Sequence, residues 1–148
     1  MATDTFATLG KQEAIRQLFE GTKFKPFEEP VFFHSPERSY ITTSTKSFLE
    51  GIDFDLVYFP LKHLGYKCVL ATTAELFAVM SHPRTLSICL GVSAKLDFEH
   101  VKELWSGVLA AAREYGYRSL SLDIQPSKNG LAISVSATGE TTELMAKR

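Results

Sequence analysis

The chain has 148 residues, close to the commonest size of a single domain, and its formal net charge is −1. Hydrophobic residues make up 45% of the sequence and charged residues 22%, as in an ordinary globular protein. This balance argues against a basic surface, so neither nucleic acid nor an anionic membrane is expected as a partner.

The N-terminal part of the chain predicts a short helix followed by a strand. Apolar residues recur at helical spacing between Ala14 and Phe19, and Gly21 is placed to end the helix in a left-handed conformation. A proline-containing segment, 23–36, is expected to be extended or irregular. The residues 39–45 are rich in β-branched side chains and tyrosine, which favours a strand.

The central part predicts a buried helix followed by a strand. Residues 51–59 are typical of a loop or a short strand, and Pro60 suits the first position of the following helix. This helix continues to about Met80 and is apolar nearly all round, so it is expected to be buried. Apolar and small residues then alternate over 86–92, which predicts a strand with one strongly apolar face.

The C-terminal part predicts a second long helix and two more strands. Asp97 can cap the helix, apolar residues including Trp105 follow at helical spacing, and Gly116 ends it. Alternation predicts strands over 119–124 and 131–137, and the turn-forming residues between them favour a hairpin. The tail from Thr141 onward is expected to be frayed or weakly helical.

Together the elements predict an α+β fold, a two-layer sandwich of a roughly four-stranded mixed sheet with two long helices on one face. The other face carries small polar or acidic side chains, namely Ser119, Ser121, Asp123, Ser134, Ser136 and Thr138. Such a semi-polar face is either hydrated or paired with another copy of the chain. One domain covering 1–148 is therefore expected.

The cysteines and the N-terminus bear on the cellular compartment. Cys68 and Cys89 lie in apolar runs and are expected to be buried free thiols. The N-terminal residues show no basic region followed by an apolar core, so no signal peptide is expected. The most apolar stretch, 68–80, is too short to span a bilayer. These features predict a cytoplasmic protein.

The four histidines have no metal-ligand spacing.

Several segments of the chain carry motifs of one enzyme superfamily. They are KSFLEGIDF at 46–54, PLKHLGYK at 60–67, ATTAELFAVMSHP at 71–83, and the pair Leu122-Asp123 with GLAISV at 130–135. In order and spacing they resemble the N-terminal domain of the aminoimidazole ribonucleotide synthetase superfamily, which includes thiamine-monophosphate kinase, selenophosphate synthetase and a hydrogenase maturation protein. The resemblance covers about residues 24–140.

The resemblance implies an α+β domain that pairs with a second copy through its sheet and binds ATP with magnesium near that interface. Carboxylates hold the metal ions in this family, because Mg²⁺ prefers oxygen ligands. The implied metal ligands are Glu28, Glu29, Glu75 and Asp123. The implied nucleotide- or phosphate-binding residues are Lys46, Glu50, Gly51 and Asp123. No residue is assigned a catalytic role.

The sequence departs from the family's motifs where metal and phosphate are bound. The aspartate before the Glu-Gly turn is Lys46 here, and an ammonium group cannot bind Mg²⁺. The helix aspartate corresponds to Glu75. The family's Gly-Gly-Asp is Ser121-Leu122-Asp123, its Gly-Asp-Asp-Ala-Ala loop has no clear counterpart, and its C-terminal domain is not matched.

Two alternatives stay open for Lys46 and for the Glu-Gly turn. Lys46 either contacts phosphate where a metal is bound in the family, or lies beside Glu50, Asp53 or Glu75 in an inactive site. Glu50 and Gly51 form either a turn with glycine at positive φ, or a retained carboxylate that contacts phosphate or a partner.

The sequence predicts first a stand-alone, catalytically degenerate domain that forms a homodimer through its sheet and acts as a binding or interaction module. The alternative is an ATP- and magnesium-dependent phosphotransferase in which Glu28, Glu29, Glu75 and Asp123 gather a metal. A third hypothesis is a ligase-like subunit whose C-terminal half is a separate polypeptide.

Overall fold

A computed structural model describes residues 9–26, 39–57 and 59–142 of the chain. The helices are α1 (Lys11–Phe19), α2 (Leu61–Ala78) and α3 (Phe98–Glu114). The strands are β1 (Ser39–Leu49), β2 (His82–Val92), β3 (Ser119–Pro126) and β4 (Ala132–Thr142). These elements confirm the predicted α+β class with a four-stranded mixed sheet. None of the helices in the described part of the chain has both the length and the hydrophobicity that a membrane crossing requires.

The strands form one sheet in the order β1-β4-β2-β3. β4 is antiparallel to both β1 and β2, whereas β2 and β3 are parallel neighbours on either side of α3 in the chain. The predicted hairpin between the last two strands is therefore wrong. β4 lies between β1 and β2, where both of its edges find hydrogen-bond partners, and its inner residues Ile133, Val135 and Ala137 are fully buried.

The helices α2 and α3 cover one face of the sheet and touch each other through two glycines. A Cβ atom at Gly65 would lie 2.1 Å from the carbonyl oxygen of Leu104, and one at Gly107 would lie 1.9 Å from the carbonyl oxygen of Lys62. Only glycine allows the two backbones to approach this closely. α1 packs at the β3 edge, where Phe19 contacts Trp105 with ring centroids 5.4 Å apart.

The core lies between these helices and the sheet, and Trp105 is buried in it as predicted. The prediction that the central helix is buried all round is wrong, because α2 has a solvent side that carries the half-exposed Leu70 and Phe77. Cys68 is buried, and burial raises the pKa of its thiol to about 12. Cys89 is free as well but exposed, which corrects the prediction of burial, because it lies on the uncovered face of the sheet.

The ends of the elements follow local chemistry. Gly21 after α1 and Gly116 after α3 have φ of 77° and 78°, as predicted for glycines that end helices. Asp97 caps α3 by accepting a hydrogen bond from the backbone N–H of His100 at 3.0 Å. β1 is longer than predicted. The prediction of a frayed tail from Thr141 is wrong at its start, because Thr141 lies within β4, which pairs with β1 along its whole length. The tail after residue 142 lies outside the described residues.

Candidate functional site

The face of the sheet opposite the helices carries rows of small side chains. Residues of adjacent strands stand in register in three of these rows: Thr43, Thr138, Thr85 and Ser119; Thr45, Ser136, Ser87 and Ser121; Ser47, Ser134, Cys89 and Asp123. We call these twelve residues the open face. Alternation of side chains along each strand places them together, because the neighbouring residues on each strand point to the core.

The hydroxyl groups of the open face bond to one another across strands. Thr45 and Ser136 are joined by a hydrogen bond of 3.1 Å, and Ser121 donates its hydroxyl to that of Ser87 at 3.0 Å. A third bond of 2.5 Å joins Thr85 and Thr138. Since these hydroxyls are already paired within the sheet, another surface could cover them without leaving them unpaired.

A polar cluster lies at the β1 edge of the sheet, on its helix side. The ammonium Nζ of Lys46 on β1 lies 2.9 Å from Oε1 of Glu75 on α2. The buried Ser44, two residues before Lys46 and hence on the same face, donates its hydroxyl to Oε2 of Glu75 at 2.6 Å. The bonds from Ser44 and Lys46 hold the pKa of Glu75 below its ordinary value. The sequence left Glu50, Asp53 and Glu75 open as neighbours of Lys46, and the structure pairs Lys46 with Glu75.

The Glu-Gly turn follows β1 in the chain and is hydrogen-bonded to Leu131, just before the start of β4. Gly51 has φ of 86°, so the predicted positive φ is confirmed. The carboxylate of Glu50 accepts a hydrogen bond from the backbone N–H of Leu131 at 3.0 Å and lies 3.2 Å from Nζ of Lys95. These contacts give Glu50 a structural role in holding the two strand ends together. A contact of Glu50 or Gly51 with phosphate stays a prediction.

Asp123 lies on β3, on the open face, at the other edge of the sheet. Its Oδ1 is 2.5 Å from Nζ of Lys11, the first residue of α1, and its Oδ2 accepts a hydrogen bond from Gln125 at 3.2 Å. Lys11 and then Gln125 hold the pKa of Asp123 below its ordinary value.

The described residues do not bring the predicted metal ligands together. Glu75 adjoins β1 on the helix side, whereas Asp123 is on β3 and on the open face, so opposite edges and faces of the sheet separate them. Each carboxylate holds a lysine ammonium, which does not suit a divalent cation. Within the described ranges no three His, Cys, Asp or Glu side chains are grouped to hold a metal. Glu28 and Glu29 lie outside those ranges, so the four-residue set stays a prediction.

Sequence reasoning missed a ligand-sized cleft between α2 and the loop after β1. Its volume is about 320 Å³, and its lining includes the apolar residues Phe48, Phe54 and Leu64. Two charged residues line it, Asp53 and Lys67. The ammonium of Lys67 lies 5.0 Å from the ring centre of Phe59, and Asp53 accepts a hydrogen bond from the backbone N–H of Leu49. The loop and the helix come together only in the folded chain, so no sequence signal indicated this cleft.

The bond from Ser44 to Glu75 and the lysine partners of Asp123 and Glu50 were missed as well. The spacing of Ser44 and Lys46 on one strand was a usable signal, because residues two apart share a face. Lys11 and Lys95 gave no such signal, since each is paired with a carboxylate far away in the sequence.

Sheet order, helix layer and open face define an α+β domain in which the described helices cover only one face of the sheet. Residues 28–141 match the family described as AIR synthase related protein, N-terminal domain, and the chain belongs to this family. The sequence resemblance to this superfamily is thereby confirmed.

Individual relatives agree with this assignment. The chain is 25% identical to thiamine-monophosphate kinase from Corynebacterium glutamicum over 138 residues, which are 92% of this chain and 41% of the kinase. E. coli HypE, a hydrogenase maturation protein, has the same fold, with a TM-score of 0.68 and 18% identity over 86% of this chain and 41% of HypE. Thiamine monophosphate kinase from Aquifex aeolicus gives a TM-score of 0.65 with 22% identity over 88% of this chain and 41% of that chain. This chain thus spans less than half the length of these relatives.

Proposed function

We propose that this chain is a catalytically degenerate domain that forms a homodimer through its open face and acts as an interaction module. One observation carries the proposal: a face of the sheet presents rows of small side chains, at least six of which bond to one another in pairs, and is left free by α2 and α3.

A second copy suits this face better than bulk water alone does. Side chains such as serine and threonine let two sheets approach closely, and two sheets packed face to face form a stable two-layer core. β1 adds two half-exposed apolar side chains, Ile41 and Leu49, on the same side of the sheet as the three rows. A dimer built this way has its helix layers on the outside and covers Ile41 and Leu49 at the β1 edge of the interface.

The degenerate character of the domain rests on the cluster of Lys46, Glu75 and Ser44. Both oxygens of the Glu75 carboxylate are occupied by groups of the chain itself. An ammonium group stands where the family's motif has a carboxylate, and it repels a second cation.

The solution mass and the reactivity of Cys89 test the dimer. Light scattering should give twice the chain mass of 16.5 kDa, and Cys89 should react slowly with a thiol reagent because the second copy covers it. Cys68 is an internal reference, since burial keeps it protonated and inaccessible. Ser136→Arg, at the centre of the open face, should give a monomer with a reactive Cys89. Ala74→Arg puts the same side chain on an exposed part of α2 and should leave the dimer intact.

A wild-type chain that has the mass of a monomer at micromolar concentration, with Cys89 as reactive as in Ser136→Arg, would contradict the dimer. Equal loss of the dimer in Ala74→Arg would show that arginine acts by general destabilisation.

A second candidate function is favoured by the relatives. AaThiL has been solved in complex with AMPPCP and TMP, and a HypE in complex with ATP. By this similarity the chain would be an ATP- and magnesium-dependent phosphotransferase or ligase-like subunit. The part of these relatives that the chain does not match would then come from a separate polypeptide.

Ligand-dependent unfolding separates the two candidates. A ligand that binds only the folded chain stabilises it by RT ln(1 + [L]/Kd), about 2.7 kcal/mol at a hundredfold excess over Kd. Stabilisation by ATP only with magnesium supports the enzyme, and stabilisation by ATP without magnesium supports direct contact between Lys46 and phosphate. Neither effect at millimolar ATP supports the interaction module.

A further inference from the structure

Three of the carboxylates that the family resemblance singles out are each paired with a lysine of this chain. Nζ of Lys46 lies 2.9 Å from Glu75, that of Lys11 lies 2.5 Å from Asp123, and that of Lys95 lies 3.2 Å from Glu50. Each pair is neutral as a unit, so none of the three carboxylates contributes a net negative charge to attract a divalent cation.

The pair of Lys46 and Glu75 differs from the other two in its position. Both residues occupy places where the family's motifs have a carboxylate, one on β1 and the other on α2. Ser44 adds a buried hydroxyl from β1 that donates to the other oxygen of the Glu75 carboxylate, so groups of β1 contact both oxygens of this side chain. Carboxylate and hydroxyl oxygens are ligand types that a hard cation accepts.

We propose that the Lys46 ammonium takes the place of a divalent cation at the junction of β1 and α2. The ammonium supplies the positive charge that balances the Glu75 carboxylate. This ion pair holds β1 to α2 without a metal. This inference goes beyond dimerisation and does not depend on it, because the cluster lies on the helix side of the sheet and not on the open face. It makes Lys46 the residue that decides whether this junction responds to Mg²⁺.

Reversing the substitution tests the inference. Lys46→Asp places two carboxylates and the Ser44 hydroxyl at the junction. Without metal the variant should unfold at a lower temperature than wild type, because the carboxylates repel each other. Added Mg²⁺ should then raise its unfolding temperature, by roughly 3–6 °C at tenfold excess over Kd. The wild-type chain should show no rise when ionic strength is matched with NaCl.

Two further variants serve as controls. Lys11→Asp beside Asp123 makes the same change of charge at an ion pair of similar exposure, and it should not respond to Mg²⁺ beyond the NaCl reference. Lys46→Met removes the ammonium without adding a ligand, and it should not respond either. Lys46→Asn adds a neutral oxygen and should respond more weakly than Lys46→Asp, so it gives a result even if the aspartate variant does not fold.

Three outcomes would overturn the proposal. The first is a wild-type chain that Mg²⁺ stabilises as much as the aspartate variant. The second is a folded Lys46→Asp or Lys46→Asn variant with no response to Mg²⁺. The third is an equal response of Lys11→Asp, which would show a general attraction of the cation to acidic pairs. The mass of each sample, measured by light scattering, shows whether the dimer is present. A missing response to Mg²⁺ can therefore be told apart from a missing dimer.

Discussion

The two faces of the sheet are made by the same four strands and yet have different roles. On β4, Val135 is completely buried beneath the helices, while its neighbour Ser136 is exposed on the open face. Large apolar side chains fill one face, and small hydroxyl-bearing side chains line the other. We therefore expect the covered face to account for most of the stability of the fold, while the open face is the surface of the proposed dimer. Four predictions test this difference, from the largest expected effect to the smallest.

The largest effect is expected where two helices meet above the covered face. Gly107→Ala puts a methyl group onto the carbonyl oxygen of Lys62, 1.9 Å away before any relaxation. We expect a loss of roughly 3 kcal/mol or more in the free energy of unfolding, measured by urea denaturation. Gly91→Ala is the matched control on the open side of the sheet. Its new methyl group meets Ser127 at an ordinary 3.4 Å, and a comparable loss there would contradict the contrast between the faces.

The two neighbouring residues on β4 give a second comparison. Val135→Ala leaves a cavity under the helices and should cost roughly 2 kcal/mol of stability. Ser136→Ala removes an exposed hydroxyl and should change the stability of the monomer by less than about 0.5 kcal/mol. Both values come from denaturation at a concentration low enough to avoid association. Equal losses of unfolding free energy in the two variants would mean that the two faces contribute equally to stability.

Met80 at the end of α2 is expected to give a smaller effect of opposite sign. It is a non-glycine residue with φ of 56°, in the left-handed region, and its side chain is 60% exposed. Met80→Gly relieves this strain and should stabilise the chain by about 0.5–1 kcal/mol in thermal unfolding. Met80→Ala keeps the unfavourable φ and should show no such gain. A Met80→Ala variant as stable as Met80→Gly would indicate that the exposed side chain is the destabilising group.

The smallest effect is expected at the edge of the sheet, in the ion pair of Lys46 and Glu75. The pKa of Glu75 is lowered in the folded chain, so its contribution to stability is present above the ordinary value of 4.5 and is lost as the pH falls through the folded value. Glu75→Gln should flatten the pH dependence of stability in this acidic range, measured by urea denaturation at several pH values. Glu99→Gln, on the first turn of α3, is the control. If the free energy of unfolding of Glu75→Gln depends on pH as steeply as that of the wild type, the ion pair contributes nothing to stability.

Much of the fold was predictable because it depends on short-range patterns. Apolar spacing located α1, α3 and the strands after α2, while an apolar run after Pro60 located α2 and β-branched residues located β1. The caps at Asp97 and Gly116 followed from residue type alone. Alternation also indicated that one face of the sheet is small and polar. The position of β4 was not predictable in this way. The turn residues at 126–130 favour a hairpin locally, and only the pairing of β4 with β1 on one side and β2 on the other decides against it.

The candidate site shows the same division. By itself the sequence determined that a lysine stands where the family has a carboxylate, and it indicated the open-face residues of β3 and β4. Only the tertiary structure decided that Lys46 pairs with Glu75, that Lys11 pairs with Asp123, and that Cys89 is exposed. The physical reason is the range of the interactions. Backbone conformation and side-chain alternation depend on near neighbours, whereas an ion pair or a strand pairing requires residues that are distant in the chain to meet.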